Sequence, residues 1–196
     1  MTEYQINHFK SEINKRTSIP DGDWEPFVRL WELKTYRRNE FIWKAGEVPK
    51  FSIFVMKGCL RQFVMNENGE ESIVNFAEEN HWTGDLPAMR SSTSSKFNFQ
   101  VLEVSELLTI STANWELAFN EFKWWTEAHL KGYQIWATTM LQKMADLNTK
   151  TSEVRYLDLL KQKPGLFQRV PQHYIASYLG ISAETLSRIR KKLSKV

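Results

Sequence analysis

Residues 174–193 read YIASYLGISAETLSRIRKKL and contain two short amphipathic segments separated by a glycine. The spacing predicts one helix over residues 172–179 and a second over residues 183–193. Gly180 suits the left-handed conformation that ends a helix, and Ser182 suits the cap of the next helix. The apolar residues at helical spacing that would join the two helices are Ile175, Leu179, Ile181, Leu186 and Ile189. The stretch therefore predicts a helix-turn-helix.

The second of these helices has a charged face opposite its apolar face. The charged face consists of Glu184, Arg188, Lys191 and Lys195, with Ser187 flanking them. An arginine fork reads guanine and a glutamate accepts from cytosine, so Glu184 and Arg188 are candidate base readers. The lysines further along the helix suit phosphates. The alternative is a solvated face on which Glu184 and Arg188 form a stabilising i,i+4 pair.

The net charge of the 196-residue chain is +3, and it is unevenly distributed. Residues 167–196 contain six Lys or Arg and one acid, so this segment carries +5 and the remainder −2. A basic terminus on a slightly acidic body indicates a polyanionic partner such as double-stranded DNA. The single cysteine, Cys59, excludes an intrachain disulfide and an all-cysteine metal or iron–sulfur site. With no apolar leader and no apolar run of transmembrane length, we expect a cytoplasmic protein.

The sequence upstream of the helix-turn-helix changes character twice. Residues 36–110 contain short β-rich runs separated by turns, with Asn68-Gly69 as a strong hairpin signal, and this pattern predicts a β-barrel or jelly roll. The flanking residues 1–31 and 112–147 have helical patterns, and Thr151 or Ser152 is a plausible cap for a further helix.

These patterns predict an α+β fold with three parts. We expect a jelly-roll sensor domain with N-terminal helices over residues 1–111. A long dimerisation helix and hinge would follow over residues 112–150, and a winged-type helix-turn-helix domain over residues 151–196.

The long helix has an apolar stripe along its length. Roughly 36 residues of helix exceed the length of one face of a barrel, so part of the stripe should meet another surface. A second copy of the same helix is the economical partner, and packing within one chain is the alternative. The predicted homodimer interface consists of Tyr133, Trp136, Met140, Met144 and Leu147.

This order of parts resembles the cyclic-AMP receptor / fumarate–nitrate regulator (Crp/Fnr) family of bacterial transcription factors. The likeness rests on the segments YRRNEFIWKAGE, FSIFVMKG, NENGEES and TGDL, and on ISAETLSRIRKKL at the C-terminal end. Within the last segment, ETLSR resembles the E-x-x-S-R signature by which fumarate–nitrate-type members read a TGA-containing half-site. The resemblance implies a homodimer on a palindromic site, RNA polymerase as a further partner, and Glu184, Ser187 and Arg188 as base readers. The other candidate DNA contacts are Ser182, Lys191, Lys192, Lys195 and Arg169.

The sequence continues for only three residues beyond Leu193, so we expect no β-hairpin wing after the recognition helix. Any wing would come from the segment GLFQRV upstream. We expect fewer contacts to the DNA backbone as a result, and weaker or more salt-sensitive binding.

The resemblance also implies an effector pocket in the barrel. Cyclic-nucleotide-binding members hold the phosphate with a glycine, an acid and an arginine-serine pair. Here that pair falls on Ser95-Lys96, and a lysine lacks the bidentate fork of arginine. We therefore expect an unidentified small-molecule effector other than cyclic AMP, or none. The candidate pocket residues are Gly84, Asp85, Leu86, Ser95, Lys96, Thr138 and Thr139.

No close pair of histidines and no Ser/His/Asp order stands out in the sequence. We therefore predict no metal, no cofactor and no enzymatic activity. The alternative class of function is a small-molecule-binding, cupin-like barrel whose terminal helices are only structural.

Overall fold

Two antiparallel sheets form the jelly roll of the N-terminal half. In the computed structural model, which describes residues 1–194, the strands are β1 (Glu32–Tyr36), β2 (Phe41–Trp43), β3 (Phe51–Lys57), β4 (Leu60–Met65), β5 (Glu71–Ala77), β6 (Trp82–Thr83), β7 (Asn98–Val101) and β8 (Ser105–Ser111). The first sheet has the order β1-β8-β3-β6 and the second β2-β7-β4-β5. Strand β5 is thus an edge strand of the second sheet.

Helices precede, interrupt and follow the sheets. They are α1 (Glu3–Asn14), α2 (Trp24–Val28), α3 (Leu86–Ser91), α4 (Thr112–Glu121), α5 (Lys123–Thr149), α6 (Ser152–Gln162), α7 (Leu166–Arg169), α8 (Gln172–Tyr178) and α9 (Ala183–Leu193). We refer to the segment from α6 to α9 as the helical unit. The predicted α+β fold, with its N-terminal jelly roll and C-terminal helix-turn-helix, is confirmed. Within residues 1–194, no helix combines the length and the low polarity that crossing a membrane requires.

An aromatic cluster joins the N-terminal helices to the first sheet and to the start of α5. The Phe9 ring lies 5.0 Å from the rings of both Trp31 and Phe54. Trp82 and Trp125 continue the cluster, with their centroids 5.2 Å apart. Because these side chains are large and interlock, the cluster anchors α5 to the barrel at its N-terminal end.

The predicted hairpin at Asn68-Gly69 is confirmed as the turn between β4 and β5. The Asn66 side-chain oxygen accepts hydrogen bonds from the backbone N–H groups of Asn68 and Glu70, at 3.0 and 2.9 Å. Gly69 has φ 78°, which a glycine adopts without steric cost. Local side-chain bonds of this kind close the turn without help from the rest of the molecule.

The turn between β3 and β4 requires a glycine for a different reason. Gly58 has φ 107°, and a Cβ added to it would lie 2.1 Å from the Ser105 Oγ. Its N–H donates a hydrogen bond of 2.8 Å to a Glu79 oxygen. This bond fixes the Glu79 carboxylate beside the turn.

The single long helix predicted from residue 112 is wrong, because Phe122 interrupts it. Phe122 has φ −117° and ψ 92°, which ends α4 and begins α5. Its ring is buried against Phe27 and Trp124, at centroid distances of 5.5 and 5.8 Å. Burial of this ring holds the backbone in the extended conformation, whereas a continuous helix would point the ring elsewhere.

Candidate nucleic-acid interface

The turn between α8 and α9 is satisfied by its own hydrogen bonds. Gly180 has φ 66°, and its N–H bonds to the Ser177 carbonyl at 3.0 Å. The N–H of Ile181 bonds to the Ala176 carbonyl, also at 3.0 Å, which completes a Schellman motif. Ser182 then caps α9 by accepting from the Thr185 N–H at 3.2 Å. The predicted roles of Gly180 and Ser182 are confirmed.

Helix α9 buries one face and exposes the other. Leu186 and Ile189 pack into a cluster with Ile175 and Ala176 of α8. The side chains of the opposite face are all exposed: Glu184, Ser187, Arg188 and Lys191. The structure therefore brings the predicted base readers together on one accessible surface.

The charge state of this surface suits DNA recognition. The pKa of Glu184 is lowered by hydrogen bonds from the backbone at the helix start and from Ser182, and further by Arg188. Glu184 is therefore an ionised acceptor at neutral pH. Arg188 donates to the Thr185 hydroxyl at 3.2 Å and otherwise lies exposed, so its fork is accessible to a base edge.

The other predicted DNA contacts have different surroundings. Lys192 is bonded to Glu153 of α6, at 2.7 and 3.0 Å from the two carboxylate oxygens. Arg169 is held by Glu79 and Glu103 of the barrel rather than being exposed beside α9. Lys195 lies outside the described residues.

Sequence reasoning did not assign a site role to Arg190. This arginine is exposed and lines an open groove of about 570 Å³ beside the reading face. The other groove residues are Tyr156, Gln172, Ser187, Lys191, Leu193 and Ser194. Helical periodicity places Arg190 on α9 next to the apolar face. The groove itself is formed by three helices, so it could not be predicted from the sequence.

The predicted effector pocket is partly assembled. The Ser95 hydroxyl donates to Asp85 at 2.7 Å, and the other Asp85 oxygen accepts from the Ala88 N–H at 3.2 Å, capping α3. Ser95 is buried, whereas Lys96 is exposed. The Ser95 hydroxyl and the Asp85 carboxylate are thus already bonded within the protein.

The space beside this pair is filled by aromatic side chains. Gly84, with φ 144°, faces the Ser52 Oγ and the tip of Trp43. The Trp43 ring packs on Phe99 at 4.4 Å and on Phe51 at 5.8 Å. Leu86 packs against the separate aromatic cluster around Phe9.

Thr138 and Thr139, the remaining pocket candidates, are exposed on α5. The Thr139 hydroxyl donates to the Ile135 carbonyl one turn earlier, at 2.9 Å. The two threonines thus have no barrel partner among their described hydrogen bonds. Within residues 1–194, the structure places no group of three or more metal-binding side chains together.

Residues 33–121 match the family model described as the cyclic nucleotide-binding domain. No curated protein sequence matches the chain significantly. Solved structures with a similar fold include the c-di-GMP responsive global regulator CLP of Xanthomonas campestris, at 16% identity and a TM-score of 0.69, with 90% of this chain and 92% of that chain covered. FixK2 from Bradyrhizobium japonicum is 19% identical with a TM-score of 0.70, and the match covers 84% of this chain and 85% of that chain.

The catabolite activator protein of Thermus thermophilus is also similar, at 18% identity and a TM-score of 0.55, with 91% of this chain and 85% of that chain covered. These solved structures are Crp/Fnr-family regulators. The chain has the Crp/Fnr fold. The resemblance expected from the sequence is thus confirmed at the level of architecture.

In this Crp/Fnr fold, most of the apolar stripe of α5 is left exposed by the described residues of one chain. Trp136 is half exposed, and Tyr133 and Met144 are 57% and 62% exposed. Leu147 is 41% exposed, and Met140 is partly buried. Such a row of large apolar side chains is the kind of surface that a second copy covers.

Proposed function

We propose that this chain is a sequence-specific DNA-binding regulator of transcription. The observation that carries the proposal is the exposed face of α9, where an ionised glutamate and an arginine lie one turn apart on a capped, rigidly packed helix. A buried or locally neutralised face would be unable to enter a major groove. The fold shared with Crp/Fnr regulators supports the same conclusion.

The regulator acts as a homodimer through α5. The uncovered stripe of Tyr133, Trp136, Met140, Met144 and Leu147 supports pairing of two α5 helices. Two-fold symmetry would then present two α9 helices to successive major grooves, about 34 Å apart, on a palindromic site. The likeness of ETLSR to the E-x-x-S-R signature supports TGA-containing half-sites.

The barrel does not take cyclic AMP and performs no catalysis. The support is the direct hydrogen bond between Asp85 and Ser95, with Lys96 exposed and Trp43 filling the space beside Gly84. A cyclic phosphate would have to break that bond, and no arginine fork is placed there to receive it. An effector, if one acts, is of another chemical class.

Binding to DNA duplexes tests the proposal directly. The duplexes carry two inverted TGA-containing half-sites, or the same bases scrambled, and affinity is measured over a salt series. We expect clear preference for the intact half-sites and weaker binding at higher salt. Arg38→Ala, which removes an exposed arginine of the barrel, is the charge-matched control and should keep the preference. Equal affinity for intact and scrambled half-sites contradicts the proposal.

A further inference from the structure

The helical unit, from α6 to α9, is held against the barrel by an ionic cluster. Three glutamates at one end of the barrel form what we call the acidic rim: Glu78, Glu79 and Glu103. The Arg169 guanidinium makes a bidentate contact to Glu79 at 2.7 and 2.8 Å and also donates to Glu103. Lys163 pairs with Glu78 at 3.0 Å. These bonds raise the pKa of Arg169, with Glu79 contributing most, so the arginine is always charged.

Helix α8 of the unit also forms hydrogen bonds with the backbone of β5. The Ser177 hydroxyl of α8 accepts from the Ile73 N–H at 3.0 Å and donates to the Glu71 carbonyl at 3.1 Å. Both groups belong to the outer edge of β5, where no further strand pairs. The pairing of β4 and β5 shifts register around Val74, and the Val74 carbonyl accepts from Lys143 of α5 at 2.8 Å. Ser177 of the unit and Lys143 of α5 thus satisfy backbone groups of β5 that would otherwise need water.

Aromatic contacts complete the interface. Tyr178 of α8 packs at a tilt against Phe76 of β5, with ring centroids 5.3 Å apart. The buried guanidinium of Arg61 lies 4.0 Å from the ring centroids of both Phe63 and Tyr174, so it joins β4 to α8. The helical unit and the barrel therefore form a specific interface with packed side chains and directional bonds.

We propose that the acidic rim is an intramolecular competitor for DNA, which holds the unit in a docked, low-affinity position. This inference rests on the proposed DNA-binding function. Carboxylates and phosphates satisfy an arginine fork with the same geometry, so Arg169 is unable to contact both at once. Docking also places three carboxylates beside the unit that approaches DNA, and like charges repel. Release of the rim frees Arg169 and Lys163 for the DNA backbone.

The positions of the acidic-rim carboxylates depend on the conformation of the barrel. Glu78 and Glu79 directly follow β5, and the Gly58 N–H fixes Glu79 at 2.8 Å. A change in the turn between β3 and β4 therefore moves the carboxylate that grips Arg169. Because the position of this turn depends on close packing of Gly58 on Ser105, small displacements within the barrel reach the rim.

The test uses the full-length double variant Glu79→Gln/Glu103→Gln. The control is Glu67→Gln/Glu70→Gln, which removes the same charge from exposed positions of the β4–β5 turn. One readout is affinity for the half-site duplex, and the other is the rate at which a thiol reagent modifies Cys59. This residue is the chain's single cysteine and is fully buried, in one cluster with Leu166 and Val170 of the unit. Burial raises its pKa to about 12, so the docked thiol reacts slowly.

We expect the rim variant to bind DNA about tenfold more tightly and to react at Cys59 about tenfold faster, with both values unchanged in the control. Ser177→Ala, which removes two docking bonds without changing charge, should also speed the Cys59 reaction. An unchanged Cys59 rate in the rim variant, or faster reaction with weaker DNA binding, overturns the competitor role. Loss of half-site preference in every variant, including the parent chain, instead contradicts the proposed function itself.

Discussion

Single residues on α9 divide the work of recognition in this proposal. Arg188 is placed for a base edge, whereas Lys191 lies one turn closer to the helix end, where cations suit phosphates. The two exposed side chains differ in geometry as well, because only arginine presents a planar fork. Their replacement should therefore have different consequences.

We expect Arg188→Ala to weaken binding to the intact half-sites by about 1–3 kcal/mol and to relax preference at one base pair. Lys191→Ala, the matched variant, should weaken binding to all sequences alike and lower the salt dependence, because it removes a phosphate contact. Affinity measurements on duplexes with single-base changes separate the two cases. A uniform loss for Arg188→Ala would assign that residue to the phosphates instead.

His129 is a residue whose surroundings determine its charge. Its ring lies 5.1 Å from Phe119, 5.7 Å from Trp115 and 5.9 Å from Trp125. Burial, with a smaller contribution from the charges of Arg16 and Arg90, lowers the pKa of His129 from 6.5 to about 4. The folded protein therefore keeps a neutral imidazole at pH values where the unfolded chain is protonated.

Stability should consequently fall as the pH is lowered from 6.5 towards 4, because only the unfolded state takes up a proton at this site. The loss from this group is at most roughly 3 kcal/mol. His129→Phe should flatten the decline in urea unfolding curves over that range, and His173→Phe, at an exposed position, should leave it unchanged. Parallel declines in His129→Phe and the parent chain would assign the acid sensitivity to other groups.

At the scale of an element, α5 combines two environments in one helix. Its first turns, around Trp124, Trp125 and Ala128, are buried in the aromatic cluster. Its later turns carry the uncovered stripe from Tyr133 onward. The helix is thus anchored at one end and presents a surface at the other, which suits a shared two-fold seam.

Trp136→Glu should convert the proposed homodimer to monomers, because it places a charge in the middle of an apolar seam. Thr138→Glu is the matched control, since this exposed residue lies about 160° around the helix from Trp136. Sedimentation equilibrium compares the two variants with the parent chain. Dimers that persist in Trp136→Glu, with the control also dimeric, would locate the interface elsewhere.

At the scale of the whole molecule, the barrel and the helical unit share one buried cluster. Phe63, Ile73 and Phe76 from the barrel pack in the same cluster as Ile175 and other apolar residues of the unit. Units that share a core unfold together, whereas independent domains unfold separately. We therefore expect the parent chain to show a single calorimetric transition.

Tyr178→Ala should split that transition into two. The change removes the ring that packs against Phe76 and whose centroid lies 3.5 Å from the Lys143 ammonium, so docking loses contacts to both β5 and α5. Tyr4→Ala, at a site that is 78% exposed, should keep one transition at the original temperature. A single unchanged transition in Tyr178→Ala would show that these contacts do not couple the two parts.

Much of this architecture could be predicted from the sequence because it depends on neighbours. The cap at Ser182, the turn at Gly180 and the hairpin at Asn66–Glu70 are made by residues within five positions of one another. The reading face follows from helical periodicity alone, which places Glu184 and Arg188 together without any tertiary contact. Local chemistry of this kind is encoded wherever the segment lies in the fold.

Contacts between distant residues were decided only by the tertiary structure. Arginine is a residue type that commonly contacts DNA, but the partners of Arg169 are Glu79 and Glu103, which lie 90 and 66 residues away in the sequence. Phe122 breaks a helical pattern because Phe27, far upstream, receives its ring. The pairing of Asp85 with Ser95 depends in the same way on how the barrel closes. Helical periodicity and local caps, which depend only on neighbouring residues, therefore determine which side chains α9 exposes. The packing of the helical unit against the barrel decides whether a distant cation such as Arg169 is available to a further partner.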